Sequence, residues 1–448
     1  MHEASSRRAQ LSRLSMLLAS SFPSASALAA PSPLLFQQFG STQPSSIGDW
    51  TGSESLGIAG SEAHIAGLGG SRRLHLLTQL MSAEERRALL VDLDGRQAAF
   101  DTALDTVDAQ ATFMCRVVEG GETMDGALAA HVAPVCARLQ AFVQERFGSA
   151  SACVSDVLIR RYLPTERRRL EAHFDVSSFA TAIVSLSAAS AYEGGLYVQA
   201  VPGVPSRRYV QLEAGDALLH RFDTMHGVHV PSGERLSLVV WFSEDERALR
   251  EGSAPWVQRE AEAGNPEAQF VLGGFHYRGD EFGYGPHDLT RAVRWLAAAA
   301  RQGNALAQVH LGSMVQAGEV GGELLARAVR EALYRAPSPL RSSGDDSLAL
   351  YRAPEEEAAE AAVKLLTPTA TAEAVAELYR RAAVQGHPSG QLALGRCYLS
   401  GEGVQRCNRR ATEWLERAAA QGADENVAAA WAADELAALT RDADEPVK

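Results

Sequence analysis

Cysteine is scarce in this sequence, and its few copies are scattered. The five cysteines, at positions 115, 136, 153, 397 and 407, are odd in number and form no CxxC pair. A thiolate zinc site or a disulfide framework would need paired cysteines, so neither is indicated. Free thiols are typical of a reducing compartment.

Long hydrophobic runs and a basic excess are also lacking. No stretch approaches the roughly 18 apolar residues that cross a membrane, so the sequence predicts no membrane span. The net charge is −13 at pH 7, which argues against nucleic acid as a partner because acidic surfaces repel phosphate backbones. The apolar and charged fractions, 46% and 22%, are those of ordinary folded protein.

A chain of 448 residues exceeds one ordinary hydrophobic core, so we expect two folded domains and some unstructured chain. Residues 1–75 form a predicted tail, rich in Ser, Ala, Gly and Pro without a sustained apolar period. This tail is either disordered or a targeting sequence, because residues 11–30 lack acids and lie beside arginines. The compartment stays open: free thiols favour the cytoplasm, and the tail favours an organelle or the secretory route.

Residues 76–248 are predicted to form the first domain. Ser82, followed by Glu84 and Glu85, is typical of a helix start, and a second helix is predicted over 125–147. Many short β-prone runs follow, and their spacing favours a sandwich or barrel over about 153–245. The predicted strands are 157–162, 181–186, 196–199, 208–212, 216–220 and 235–242.

Residues 254–440 show Ala-rich helical periodicity with an internal repeat. Segments 272–303 and 394–422 superpose, given three inserted residues in the first, so that Gly273 matches Gly395 and Trp295 matches Trp414. A broken copy lies between them, at 304–318 and 376–386. The interruption, about 319–371, contains an acidic Ala-rich helix candidate and a Pro/Ser-rich loop.

The pattern that carries chemistry is HFD, with His173 and Asp175, followed at a distance by His226. Side chains two residues apart at a strand end point to the same side, so His173 and Asp175 can touch one metal ion. A second histidine from a distant strand completes a two-histidine, one-carboxylate set, which suits iron(II) and oxygen activation. A lone histidine is more often a surface or core residue than a metal ligand, so the metal-site prediction depends on the neighbouring residues.

That context includes Arg235, nine residues beyond His226 at the head of an apolar strand. A buried arginine needs an anionic partner, and a dicarboxylate co-substrate would supply one. The guanidinium could grip one carboxylate in a fork, with the Ser237 hydroxyl on the same face as a further donor. The alternative is an exposed charge at the strand end.

These elements together resemble the 2-oxoglutarate- and Fe(II)-dependent dioxygenases, in particular the branch of the prolyl 4-hydroxylases. The resemblance is carried, in order, by RYLPTERRRLEAHFD (161–175), YEGGLYVQ (192–199), AGDALLHRFDTMHGV (214–228) and SGERLSLVVWF (232–242). It implies a double-stranded β-helix, or jelly-roll, with supporting helices. Many prolyl hydroxylases carry lysine where Arg235 stands, a departure that weakens the proline assignment and leaves the reaction class intact.

The resemblance also implies the site. His173, Asp175 and His226 would bind Fe(II), Arg235 would bind the C5 carboxylate of 2-oxoglutarate, and Tyr162 would lie beside this co-substrate. Molecular oxygen (O2) would be the other co-substrate, and ascorbate (vitamin C) the reductant. Tyr162 could instead be a core aromatic residue.

His220 and His229 lie close to His226 in the sequence. We prefer His226 as the distal ligand, because the HGV turn and its spacing to Arg235 fit the family pattern. His229 then remains a candidate for contacting the metal ligands or the substrate.

The C-terminal repeats resemble Sel1-like repeats, which are relatives of tetratricopeptide repeats. The resemblance rests on LGxxYxxGxGV followed by DxxxAxxWxxxAAxQG, and it implies an all-α solenoid whose concave face binds peptides. This domain either recruits a partner or buttresses the oxygenase. We favour recruitment, and so expect removal of the residues after about 252 to spare uncoupled 2-oxoglutarate turnover but to reduce turnover of a protein substrate.

The sequence therefore predicts an α+β protein of two domains, a jelly-roll with supporting helices and then an all-α Sel1-like solenoid. The predicted function is a 2-oxoglutarate-dependent dioxygenase that hydroxylates a protein or peptide side chain, bound partly through the repeats. The alternatives are a non-catalytic adaptor that acts through the repeats and a small-molecule hydroxylase of the same class.

Overall fold

The computed structural model describes residues 61–63, 74–95, 100–105, 107, 110–199, 207–279, 285–320, 322–333, 368–422 and 427–444. Most of the predicted tail, with the targeting-like stretch 11–30, lies outside the described residues. The same holds for most of the predicted insertion at 319–371.

The first domain is built from antiparallel strands in two sheets. Among the described residues, the larger sheet has the order β1-β2-β11-β8-β13-β6-β4-β3, with β5 paired to β4, and the smaller has the order β10-β9-β12-β7. The strands are β1 Ser61–Ala63, β2 Leu74–Leu77, β3 Asp101–Leu104, β4 Ala111–Glu119, β5 Glu122–Thr123, β6 Cys153–Tyr162, β7 Arg169–His173, β8 Ala180–Ser185, β9 Gly195–Val198, β10 Arg208–Tyr209, β11 Ala217–Arg221, β12 His226–His229 and β13 Arg235–Ser243.

The two sheets face each other across an apolar layer. Leu158 and Val239 of the larger sheet meet Val198 and Val228 of the smaller sheet in this layer. Such burial contributes roughly 25 cal/mol per Å² of apolar surface removed from water. The predicted jelly-roll is confirmed, and the smaller sheet leaves β7 and β12 side by side, with His226 opposite His173.

Two helices cover the other face of the larger sheet. Helix α1, Ala83–Asp94, begins at the predicted Ser82, whose hydroxyl accepts from the Glu85 backbone N–H while the Glu85 carboxylate accepts from the Ser82 N–H. Helix α2, Gly126–Arg146, is long and apolar enough to cross a membrane by length and composition alone. Its apolar stripe instead packs into the core beneath the sheet, as in a core helix.

Several strands differ from the sequence-based expectation. The domain starts earlier than residue 76, because β2 begins at Leu74 and pairs with Ser61–Ala63 inside the predicted tail. Strands β7 and β12, which carry His173 and His226, were not among the predicted strands because they are short and rich in charged or histidine residues. Strand β10 ends at Tyr209, three residues before the predicted 212.

The second part of the chain is helical, as predicted. Its helices are α3 Glu246–Glu251, α4 Pro255–Glu262, α5 Pro266–Arg278, α6 Leu289–Arg301, α7 Ala305–Gln316, α8 Gly322–Leu333, α9 Pro368–Val384, α10 Pro388–Ser400, α11 Asn408–Ala419 and α12 Val427–Asp444. Successive helices pack against each other from α4 to α7 and from α9 to α12, and α7 packs on α9 across the interruption. The two fragments of the broken copy are therefore neighbours.

Small residues set the close approach of the paired helices. A Cβ at Gly273 would lie 3.0 Å from Leu296 Cγ, and one at Gly395 would lie 2.9 Å from Leu415 Cγ. These equivalent contacts explain why glycine recurs at this repeat position. Inside the predicted insertion, α8 packs on α6. The acidic Ala-rich stretch at 355–362 lies outside the described residues.

The core position of α2 predicts a large stability loss on truncation. Leu139 is fully buried, so Leu139→Ala should lower the free energy of unfolding by about 2–5 kcal/mol. Val91 on α1 is 68% exposed, and Val91→Ala should change it by less than about 0.5 kcal/mol. Urea unfolding followed by circular dichroism measures both, and equal losses would contradict this packing.

Candidate metal centre

His173, Asp175 and His226 converge at the end of the smaller sheet. His173 ends β7 and His226 begins β12, so the register sets the two imidazoles opposite each other. One ligand atom from each of the three buried residues lies within 4.8 Å of the others. The Asp175 carboxylate lies between them, with Oδ1 3.4 Å from His173 Nε2 and Oδ2 3.6 Å from His226 Nε2.

Backbone carbonyls fix the tautomer of both histidines. His173 Nδ1 lies 2.7 Å from the Glu171 carbonyl oxygen, and His226 Nδ1 lies 3.1 Å from that of Thr224. A carbonyl only accepts, so each Nδ1 carries the hydrogen and donates it. In the neutral imidazoles, both Nε2 lone pairs therefore face the carboxylate, an arrangement that a shared cation would stabilise.

Two residues that face each other on neighbouring strands donate hydrogen bonds to the Asp175 carboxylate. Thr181 on β8 lies opposite Trp241 on β13. The Thr181 hydroxyl donates to Asp175 Oδ2 at 2.6 Å, and the Trp241 indole N–H donates to the same oxygen at 3.2 Å. Because Oδ2 accepts both bonds, Oδ1 is the better placed oxygen for a metal ion.

The pKa directions favour cation binding at Asp175 and His226 and oppose it at His173. Burial acts to raise the pKa of Asp175, but the neighbouring His226 and His173 outweigh it and lower that pKa. Burial, and then the nearby His220 and His173, lower the pKa of His226 well below its ordinary value. Burial also acts to lower the pKa of His173, but Asp175 raises it overall. Asp175 thus stays ionised and His226 neutral, as metal ligation requires.

Arg235 is 1% exposed, so the expected buried arginine is present. Its Nη1 donates to Ser237 Oγ at 3.2 Å, while Nε and Nη2 are buried without a hydrogen-bond partner among the described residues. Two unpartnered donors on a buried cation are costly. The arrangement fits an incoming carboxylate, with the Ser237 hydroxyl hydrogen still available as a donor.

Aromatic rings flank this arginine on two sides. The Arg235 guanidinium carbon lies 5.8 Å from the ring centroid of Tyr162, its partner in the β13–β6 register, and 5.8 Å from that of Tyr192. Tyr162 is 1% exposed. It therefore lies beside Arg235, as expected for a residue near the co-substrate. Sequence reasoning gave Tyr192 no role, although it opens the quoted YEGGLYVQ motif.

The other two histidines lie outside the group of three. His229 is half-buried, and its Nδ1 lies 3.2 Å from the Tyr209 hydroxyl. His220 is fully buried, with its ring centroid 4.2 Å from that of His226. Its Nδ1 donates to the Arg221 carbonyl oxygen at 3.0 Å, so it packs against His226 and does not belong to the group of three.

A buried ion cluster near the centre went unpredicted. Asp105 Oδ2 lies 3.1 Å from Arg160 Nη1 and 3.2 Å from Arg167 Nη1. Burial disfavours ionisation of Asp105, but Arg160 and Arg167 lower its pKa overall, with a smaller contribution from His173. Asp105 follows a separate strand, and no spacing in the sequence links it to the arginines.

The donor set suits a hard or borderline metal ion. Two imidazole nitrogens and one carboxylate oxygen, without thiolate, are typical of iron(II) sites with open positions and unlike structural zinc sites rich in cysteine. The three residues could therefore hold Fe(II), and Arg235 could hold the far carboxylate of a diacid.

The family model for the Sel1 repeat matches residues 266–304 and 388–422. The chain carries Sel1 repeats. These matches coincide with helices α5–α6 and α10–α11 and confirm the two copies found by superposition. A search of curated proteins gave no match.

Solved structures similar to parts of the chain cover both Sel1 repeats and oxygenases. A Sel1 repeat protein from Oxalobacter formigenes has 27% identity and a TM-score of 0.26, over 41% of this chain and 95% of that one. A 2OG-Fe(II) oxygenase family oxidoreductase from Burkholderia pseudomallei has 22% identity and a TM-score of 0.30, over 38% and 85%. A prolyl-4-hydroxylase from Pseudomonas putida has 19% identity and a TM-score of 0.31, over 38% and 91%.

Metal binding is the first testable property of this centre. We expect the full chain to bind Co(II), a spectroscopic substitute for Fe(II), and Asp175→Asn to weaken the affinity at least about 100-fold because one anionic ligand is lost. His229→Ala, outside the group of three, should leave the affinity unchanged. Titration calorimetry measures both; equal affinity in the wild type and Asp175→Asn would place the metal elsewhere.

Proton competition gives this centre a predictable pH dependence. Because the pKa of His173 is raised, this imidazole stays protonated at pH values where a free imidazole is neutral, and a protonated nitrogen cannot ligate. Co(II) affinity should therefore rise with pH through the histidine range, from about pH 5 to about pH 8. Asp175 is ionised throughout. A dissociation constant that stays flat across this range would contradict the assignment of His173.

Proposed function

We propose that residues 76–248, extended by the strand at Leu74–Leu77, form a 2-oxoglutarate- and Fe(II)-dependent dioxygenase. The observation that carries the proposal is the pairing of two features within one jelly-roll. A buried His173, Asp175 and His226 group shares the domain with buried Arg235, two of whose donor nitrogens have no partner within the described part of the chain. Two histidines and a carboxylate occur in many kinds of metal site. The buried Arg235 guanidinium needs an anionic partner as well, and a diacid that also binds the metal would supply one.

In this proposal His173, Asp175 and His226 bind the iron. Bound iron and 2-oxoglutarate, together with O2, would supply the oxidising chemistry, and ascorbate is expected as the reductant. Thr181 and Trp241 hold the Asp175 carboxylate in place. Holding the ligands before the metal arrives reduces the reorganisation that binding requires.

Arg235, Ser237 and Tyr162 form the proposed co-substrate pocket. The Arg235 fork would pair with the C5 carboxylate, and the Ser237 hydroxyl, already in contact with that guanidinium, would donate a further hydrogen bond. The rings of Tyr162 and Tyr192 flank the Arg235 guanidinium, and Arg235 is 1% exposed. A charge pair shielded from water is stronger than an exposed one, which favours tight binding of a diacid.

The proposed prime substrate is a protein or peptide side chain. Residues 254–440 contain the Sel1 repeats, and stacked helical repeats commonly present a concave face to peptides. A target bound along the helices would thus be held close to the oxygenase domain of the same chain.

Turnover of 2-oxoglutarate tests the enzyme proposal against the adaptor alternative. The wild type should release succinate from 2-oxoglutarate in an O2-dependent manner when supplied with Fe(II), whereas His173→Ala should not. Arg235→Gln should raise the KM for 2-oxoglutarate by about 10- to 100-fold, because charge-assisted hydrogen bonds are worth about 1.5–3 kcal/mol.

The matched control is Arg247→Gln. The Arg247 side chain is 79% exposed and pairs with Glu251 on the surface, so its loss should leave KM unchanged. Equal succinate release by the wild type and His173→Ala would favour the adaptor. An unchanged KM in Arg235→Gln would show that the diacid binds elsewhere.

A further inference from the structure

The first Sel1 helix lies directly behind the metal ligands. Phe174 stands between His173 and Asp175, and its side chain is 7% exposed. Its ring centroid lies 6.5 Å from that of Phe270 on α5. Because neighbouring side chains along an extended segment point to opposite sides, the two ligands face the metal centre while Phe174 faces the helix.

A second contact joins the same helix to the loop before His226. Asn265 is the N-cap of α5: its Oδ1 accepts from the backbone N–H groups of Glu267 and Ala268 at 3.0 and 3.1 Å. Its Nδ2 donates to Asp223 Oδ2 at 2.7 Å. The side-chain amide therefore caps the helix and binds the oxygenase domain at once.

Asp223 belongs to the turn that fixes the orientation of His226. The next residue, Thr224, donates its backbone N–H to the Arg221 carbonyl at 3.1 Å and accepts from His226 Nδ1 at 3.1 Å. Arg221 is in turn tied to α4, since its Nη2 lies 2.7 Å from Glu260 Oε1. The turn is thus held by the helices at two points.

We propose that the first Sel1 repeat is a positioning element of the metal centre, acting through Asn265 on Asp223 and through Phe270 on Phe174. The inference rests on the metal-binding part of the proposed function and not on turnover. Asn265 and Phe270 are positioning residues, since neither belongs to the group of three possible ligands. The first repeat is therefore a structural part of the oxygenase domain.

The variant Asn265→Ser separates the two roles of this side chain, capping α5 and binding Asp223. Serine is as good an N-cap as asparagine but is too short to reach Asp223, so the helix cap survives and the contact is lost. We expect Co(II) affinity to fall on the order of 3- to 10-fold, less than the 10- to 100-fold typical of groups that bond a ligand directly. The Co(II) absorption spectrum should also shift, a change that a loss of overall stability would not produce.

The next repeat supplies a matched control. Asn304 caps α7 in the same way, its Oδ1 accepting from the Ala307 N–H at 2.8 Å, while its Nδ2 faces Glu267 rather than the oxygenase domain. Asn304→Ser makes the same chemical change and should leave Co(II) affinity and spectrum at their wild-type values.

Rescue is tested by the double variant Asp223→Asn with Asn265→Asp. The exchange keeps a carboxylate that can cap α5 and restores an amide-to-carboxylate hydrogen bond with its direction reversed. Wild-type Co(II) affinity and spectrum in the double variant, with both altered in Asn265→Ser, would support the proposal.

Unchanged affinity and spectrum in Asn265→Ser would overturn the inference, as would equal effects of Asn265→Ser and Asn304→Ser or failure of the double variant to recover. A wild type that binds no Co(II) would overturn both this inference and the metal centre. Binding that responds to Asn265→Ser without any succinate release would remove the proposed turnover and leave the inference standing.

Discussion

One buried carboxylate organises the candidate site. Asp175 is 5% exposed, and burying an unpaired charge would cost several kcal/mol. The structure offsets that cost with hydrogen bonds from Thr181 and Trp241 on one oxygen and with imidazoles on either side. The same carboxylate raises the pKa of His173 and is itself held ionised, so the electrostatics of the group follow from this one negative charge.

Much of this site could be read from the sequence because it depends on local geometry. The two-residue spacing of His173 and Asp175 places both on one side of an extended segment, and the same rule set Ser237 beside Arg235. Burial of Arg235 followed from its place at the head of an apolar strand. Each of these inferences needed only the local pattern of side chains along a strand. The structure has the corresponding contacts, between His173 and Asp175 and between Arg235 and Ser237.

The supporting residues could not be found in this way because their partners are distant in the chain. Thr181 and Trp241 meet across two strands, and Asp105, which follows β3, meets Arg160 and Arg167 from elsewhere in the chain. Strands β7 and β12 were not predicted for a different reason: short segments with charged and histidine side chains show only weak alternation of apolar and polar residues. Tertiary pairing stabilises both strands: β12 pairs with β9, whose Val198 lies in the apolar layer, and β7 pairs with β12.

The relation between the two domains is where the structure departs most from the sequence-based expectation. The sequence left recruitment and buttressing open, and favoured a recruiting module whose removal would spare uncoupled 2-oxoglutarate turnover. The core is instead continuous, because Trp256 of α4 is fully buried with its ring centroid 5.9 Å from that of Phe179, in the same cluster as the strands.

Removing the helices would expose this apolar surface and free the turn that carries Asp223. A truncated chain that lost activity would therefore say little about recruitment, because the metal site would have lost its support as well. Recruitment and support are compatible, since Asn265 and Phe270 use only the side of the first repeat that faces the oxygenase. The contacts of α4 and α5 place support at the beginning of the solenoid, which leaves the helices beyond it for the proposed binding of a target.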